Sequence, residues 1–298
     1  MAPPTAYPRR AGDAPDVQWL ERMYNNLMRV PEHGEYFARW AAQSALVRKS
    51  LPAELDVPYG PAARERLDAF AAPPGARGRR GAPLLVFIHG GYWRALDKSY
   101  HSFIAAPLHA AGAAVVLPNY TLCPRASIPD ITLQMVRALA WSWRNARRLG
   151  ADPARIGVIG HSAGGQLAAM MLACDWRVFD PELPADLVKS ALGLSGLYDL
   201  QPLKHTPSLQ ERLRLTPAQV RAASPARLPR PAAGRLYALV GAHKSGEYLR
   251  QNRLIQQAWG RERVPLATTV PGLNHFSIVD ALATPGHRVH RWALELMR

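Results

Sequence analysis

The pentapeptide Gly160-His161-Ser162-Ala163-Gly164 constrains this chain more than any other stretch, because of what lies on either side of it. Before it runs Arg155-Ile156-Gly157-Val158-Ile159, apolar and β-branched, which reads as a buried strand. After it, residues 165–172 read as a helix. Ser162 therefore falls on a tight strand-to-helix turn that lifts its hydroxyl clear of a sheet, and small neighbours let strand and helix approach closely. A helix N-terminus beneath the serine favours negative charge developing on a reacting oxygen. These are the requirements for a nucleophilic serine, and they commit the chain to alternating strands and helices.

A second element lies upstream. Residues 83–88 form a continuous apolar strand running straight into His89-Gly90-Gly91-Tyr92-Trp93. Glycines here let backbone amides approach a substrate carbonyl that side chains would block. The amides of Gly91 and Tyr92, with Gly90 beside them and Ala163 after the serine, are the candidate oxyanion hole. Tyr92 and Trp93 are candidate walls for an aryl group, with packing under a lid the alternative for Trp93. His89 reads as a histidine bracing the loop. The third element is near the C-terminus: residues 265–270 read as a last strand, followed by Pro271-Gly272-Leu273-Asn274-His275-Phe276 and a helix from Ser277. His275 follows the final strand and comes after the nucleophile in the chain, where a general base belongs.

His89-Gly90-Gly91-Tyr92-Trp93, Gly160-His161-Ser162-Ala163-Gly164-Gly165, Tyr248-Leu249-Arg250-Gln251 and Asn274-His275-Phe276 together resemble the kynurenine formamidase (arylformamidase) branch of the α/β-hydrolase superfamily. That branch is related to hormone-sensitive-lipase-like esterases. The likeness runs through most of the chain. It implies hydrolysis of N-formylkynurenine or of small aryl and acyl esters, with no metal and no cofactor, through a Ser-His acyl-enzyme mechanism.

The chain departs from this family at the acid. The resemblance places an acidic residue in the loop after the seventh strand, and the matching position here is Lys244, in Gly241-Ala242-His243-Lys244-Ser245-Gly246-Glu247. A cation cannot accept the imidazole N–H, and it disfavours charging His275. Three readings stay open. Glu247 swings in as a surrogate; Asp199, after the sixth strand, takes the role; or the enzyme works as a Ser-His pair. The rival to all three is a catalytically weakened or non-catalytic small-molecule-binding protein on the same fold.

Length and composition fit one soluble domain. The 298 residues, 48% hydrophobic, can bury a substantial core. Cys123 and Cys174 follow neither a metal spacing nor a disulfide framework, and suit a reducing compartment. Residues 1–16 hold no apolar run of signal-peptide length, and no window has the ~18 uncharged apolar residues of a membrane span. A cytoplasmic enzyme acting on a small ester or amide is expected, with no nucleic-acid or membrane partner; pairing into a homodimer is left open. The net charge of +15 is spread over Arg9-Arg10, Arg77-Gly78-Arg79-Arg80, Arg147-Arg148 and residues 227–235, without the interleaved aromatic platform of nucleic-acid binders. Such a field can still draw anionic substrates toward a cleft.

Further segments complete the expected plan. Residues 16–50 read as a helical cap, with Trp19, Met23 and Leu27 at helical spacing, and 52–61 as a turn-rich passage. Residues 66–71 and 112–118 read as strands, 73–83 as an exposed hairpin-like connection, and 131–149 as a helix. The sixth strand is expected at 190–194 and the seventh at 235–240. Residues 201–231, with six prolines, form a lid insertion. The expected fold is α/β: a mostly parallel, doubly wound sheet with helices on both faces and a small helical cap, in one domain of residues 1–298. Ligands bind beyond the carboxyl ends of such strands, where Ser162, the Gly91 loop and His275 converge.

Overall fold

The computed structural model of the protein describes residues 15–76 and 81–297. Eight strands form one sheet: β1 (Ala53–Pro58), β2 (Arg66–Phe70), β3 (Ala82–Ile88), β4 (Ala114–Pro118), β5 (Ala151–His161), β6 (Val188–Leu194), β7 (Arg235–Gly241) and β8 (Leu266–Val270). Their order is β1-β2-β4-β3-β5-β6-β7-β8. The β1–β2 and β2–β4 pairs are antiparallel, and the remaining neighbours are parallel.

The central strands are apolar on both faces because both are covered. Along β3, Leu84, Val86 and Ile88 point into one core, while Leu85 and Phe87 point into the other. The first core holds the helices Ile128–Asn145 and Ala163–Ala173; the second holds Trp40, Phe103, Phe276 and the C-terminal helices. This sandwich fixes β3, β5, β7 and β8 in register, so the loops leaving their carboxyl ends converge on one spot.

Three differences from the sequence reading have physical causes. Residues 53–58 form an edge strand rather than turns. The ladder is irregular between Glu54 and Val57, Asp56 has φ 55°, and Pro58 closes the strand where a missing N–H costs no central hydrogen bond. The cap is not one continuous helix but three: Val17–Tyr24, Asn26–Arg29 and His33–Ser50. Asn25 breaks the first pair by accepting from the Met28 amide, and Pro31 precedes the third helix. The lid insertion resolves into short helices, Gln201–Lys204, Pro207–Leu213 and Pro217–Ala223, each with proline in its first turn, where its absent N–H is harmless. Residues 1–14, in the segment read as lacking a leader, and 77–80, in the proline-rich connection, lie outside the described residues.

The cap and the lid meet over the carboxyl end of the sheet. Glu21 accepts from the Ser208 amide at 2.7 Å and its hydroxyl at 2.6 Å, and Arg94 donates to the Ser208 carbonyl at 2.6 Å. Trp40 and Arg39 of the third cap helix both bond Asp280, at 2.6 and 2.5 Å. No helix of the described residues is long and apolar enough to cross a membrane.

Candidate active site

Ser162 sits between β5 and the helix Ala163–Ala173 with φ 56° and ψ −116°. A non-glycine residue there stores backbone strain, which the surroundings must enforce. They do so in two ways. The Ser162 amide donates to the Leu194 carbonyl at the end of β6, at 2.8 Å. Behind the serine, a Cβ on Gly164 would lie 2.0 Å from the Ile88 carbonyl oxygen, and one on Gly90 would lie 3.0 Å from Ser162 Cβ. Only glycine lets the β3 loop press against the elbow.

That loop is itself strained. Gly91, Tyr92 and Trp93 have φ of 97°, 48° and 53°, three successive left-handed residues. The Gly91 carbonyl accepts from the amides of Arg94 and Ala95, both at 3.0 Å, and the Trp93 carbonyl accepts from Cys123 N at 2.8 Å. The Tyr120 hydroxyl reaches the carbonyls of His89 and Gly90, at 3.0 and 3.1 Å. With the carbonyls so occupied, the amides of Gly91, Tyr92 and Ala163 form no hydrogen bond to another described residue. They remain available for a developing oxyanion.

The histidines separate by role. His89 is fully buried, stacks on Tyr120 with ring centroids 4.3 Å apart, and has Nδ1 2.8 Å from the Gly90 carbonyl and Nε2 3.1 Å from Asn119 Oδ1. Burial lowers it to about 4, so it stays neutral as a brace. His161 donates Nε2–H to the His275 carbonyl at 2.8 Å and is lowered by burial to about 3. His275 itself lies on the turn after β8, where Asn274 Oδ1 accepts from the amides of Phe276 and Ser277, both at 2.8 Å.

The surroundings of His275 depart most from the sequence reading. Its Nε2 lies 3.2 Å from Asn26 Nδ2, which must be the donor. Neutral His275 therefore carries its proton on Nδ1, the tautomer a general base needs, yet Nδ1 has no hydrogen-bond partner. Ser162 Oγ likewise makes no hydrogen bond of good geometry, and its polar neighbour is the Tyr248 hydroxyl. The serine and histidine are thus assembled at one spot but not coupled. A cap residue stands on the histidine. With Ser162 1% and His275 4% exposed, the site is closed.

Neither candidate carboxylate reaches His275. Glu247 is buried, accepting from the Tyr24 hydroxyl at 2.7 Å and from Arg250 at 2.7 and 2.9 Å. It ties the cap to the helix Gly246–Arg263, and the swing toward His275 is not made. Asp199 is held by two bonds from Arg227, at 2.8 and 3.2 Å, and caps the Gln201 amide at 3.1 Å. Lys244 is instead the basic group at the site. Its Nζ donates to Asn26 Oδ1 and lies 3.4 Å from the Tyr248 ring centroid. Burial, followed by the charge of Arg29, pulls Lys244 well below the usual lysine range. Burial, then Lys244 and His161, holds His275 well below the usual histidine range.

Trp93 is not a pocket wall. It is fully buried, with its indole N–H on Gln166 Oε1 at 3.1 Å, because the left-handed turn directs it into the core. Tyr92 faces the site: it donates to the Tyr24 carbonyl at 2.6 Å, so Tyr248, also 2.6 Å away, donates to Tyr92. Asn26 Nδ2 approaches three acceptors with two hydrogens: Tyr248 at 2.8 Å, Tyr92 at 3.1 Å and His275. Sequence reasoning missed Asn26 and Tyr24, and took Tyr248 only as part of a resemblance. The one local signal was Asn25-Asn26 interrupting an apolar helical pattern. Among the described residues, no group of three His, Cys, Asp or Glu side chains could hold a metal ion.

A family model described as alpha/beta hydrolase fold matches residues 85–239, from β3 through the elbow to β7. The chain belongs to the alpha/beta hydrolase fold family. Within it, the chain is 29% identical to a kynurenine formamidase of Danio rerio over 249 residues, covering 82% of this chain and 81% of that one. It is 33% identical to the esterase LipQ of Mycobacterium tuberculosis over 181 residues, covering 59% and 40% of the two chains. A solved structure from Silicibacter sp., provisionally described as a thioesterase, superposes with a TM-score of 0.77 at 30% identity, covering 93% of this chain and 98% of that one. The relatives this chain resembles are hydrolases, kynurenine formamidases and esterases among them.

Proposed function

We propose that this chain is a serine hydrolase cleaving a formamide of the N-formylkynurenine type or a short-chain aryl or acyl ester. The observation that supports this most is the elbow itself. A strained, nearly enclosed Ser162 sits against Gly90 and beside three amides with no other partner, an arrangement that suits an oxyanion. Turnover begins as the cap lifts Asn26 from His275 Nε2. His275 then takes the Ser162 proton, and Ser162 attacks the carbonyl carbon while the amides of Gly91, Tyr92 and Ala163 receive the oxyanion. His275 next protonates the leaving amine or alcohol, and water, activated by the same imidazole, releases the acyl group. Without a carboxylate on Nδ1, the imidazolium is stabilised less than in a full triad. That lowers turnover by up to about 10⁴ and leaves roughly 10³–10⁴ over water from the remaining groups.

The test is turnover of N-formylkynurenine beside 4-nitrophenyl acetate, butyrate and decanoate by pure protein and by Ser162→Ala. Hydrolysis of the formamide or the short esters, lost in the variant, is the expected outcome. Equal rates in both proteins would remove Ser162 from the mechanism. A second reading is favoured by one observation, the unpartnered Ser162 Oγ and His275 Nδ1: a small-molecule-binding protein on the hydrolase fold. Binding without turnover of any of these compounds would support it.

A further inference from the structure

We infer that Lys244 is a carboxylate receptor, and that the preferred substrates are net anionic esters or amides whose free carboxylate displaces Asn26. The inference rests on the hydrolase reading for the fate of the substrate, but not for its binding. Lys244 is 6% exposed, and no carboxylate of the described residues forms an ion pair with it. The other buried lysine shows the usual arrangement: Lys98 is held by Asp68 and Asp56, at 2.6 and 2.7 Å. Removing an ammonium from water costs several kcal/mol unless an anion meets it. Lys244 is met only by a neutral amide and an aromatic face.

The amide identifies what fits. A carboxamide has the shape of a carboxylate, and Asn26 lies with Oδ1 on Lys244 and Nδ2 against Tyr92, Tyr248 and His275. A carboxylate in its place puts one oxygen on Lys244 and turns the other to the phenol hydroxyls, which can donate as well as accept. It cannot donate to His275 Nε2. The exchange therefore seats the anion and frees the base in one step. Arg29, exposed at the end of the same four-residue cap helix, adds a second positive charge that Lys244 feels. With no carboxylate of the described residues within ion-pair distance of Lys244 to receive an ammonium, a zwitterion gains less than an anion.

Binding and turnover are read separately. Ser162→Ala protein is titrated calorimetrically with 3-acetoxybenzoate, 4-acetoxybenzoate and mono-4-nitrophenyl adipate, each beside its primary-amide isostere. At least one acid should bind about tenfold or more tightly than its amide, as a charge-assisted contact in a closed site requires. That preference should vanish in Ser162→Ala/Lys244→Met. It should also vanish in Ser162→Ala/Asn26→Asp, where a tethered carboxylate already holds the lysine; this keeps the test decisive if the Met variant does not fold. Equal affinity for all three pairs overturns the inference, as does a preference that survives both substitutions. Turnover by wild type is scored independently: hydrolysis without charge preference rejects the receptor and keeps the hydrolase, while charge preference without hydrolysis does the reverse.

Discussion

At the scale of single residues, the candidate site is marked by groups whose hydrogen-bonding capacity the fold leaves unused. Ser162 Oγ and His275 Nδ1 are buried without partners, although most buried polar atoms are paired. Lys244 acts on His275 through charge. Because burial and Lys244 lower His275, it stays in its basic form below the usual histidine range. The acid limb of kcat/KM on a neutral aryl ester should therefore lie well below pH 6.5. In Lys244→Met that limb should move to higher pH, because one of the influences disfavouring protonation is gone; a pH–rate profile unmoved by the substitution would contradict this. Glu247 behaves differently. Glu247→Gln leaves the part-buried Arg250 without its anion, so the unfolding free energy from urea titration should fall by up to about 3–5 kcal/mol, with turnover per folded molecule kept within a few-fold. A drop of 10² or more in kcat at unchanged stability would instead restore Glu247 as the acid.

At the scale of elements, strand-loop junctions set the site. The β3 and β5 junctions can be read from sequence because their requirements are local: an apolar run, small residues at a close approach, and a serine at the turn. Gly164→Ala tests that packing. The methyl would meet the Ile88 and His89 carbonyls at 2.0 and 2.8 Å, so strand and helix must separate, costing about 1–3 kcal/mol or more and tilting the elbow. Reduced thermal stability together with reduced turnover is the expected result, and a fully active, equally stable variant would show that the junction is looser than described. Elements at the edge were less legible. Strand β1 has the bulge and terminal proline that mark an edge strand, and the same features read as a turn when its partner β2 is not known. The cap was legible as helical, but its breaks depend on Asn25 turning its side chain back onto the Met28 amide.

At the scale of the whole molecule, the contacts that close the site join distant parts of the chain. Asn26 meets Tyr248 across 222 residues and His275 across 249, and no periodicity reports such pairs. The convergence of Ser162, His275 and the Gly91 loop was therefore legible in sequence, while Asn26, which covers His275, was not. Glu247, and Asp199 as the alternative, stayed open as the acid for the same reason: Tyr24, Arg250 and Arg227 claim them only in three dimensions. The buried histidines also leave a global signature. His89, His101, His161 and His275 are all lowered chiefly by burial, two of them to about 4 and about 3. Below their unfolded value near 6.5, the unfolded chain binds protons that the folded chain refuses. Stability present above that pH should fall as pH drops through the folded values, by about 1.4 kcal/mol per unit for each histidine titrating only in the unfolded state. Melting temperatures level above pH 7 and falling steadily below pH 6 are expected, and a flat profile down to pH 4 would mean that these imidazoles are not buried neutral.

The central claim is that Ser162 is a nucleophile poised beneath a cap. Its most direct test is incubation of the pure protein with an aryl organophosphonate, followed by intact-mass and peptide mapping. One adduct per chain on Ser162, absent from Ser162→Ala and formed faster in Asn26→Ala, where the cap no longer holds His275 Nε2, is the predicted result. A chain that stays unlabelled, or a label on another residue while Ser162 remains unmodified, would contradict it.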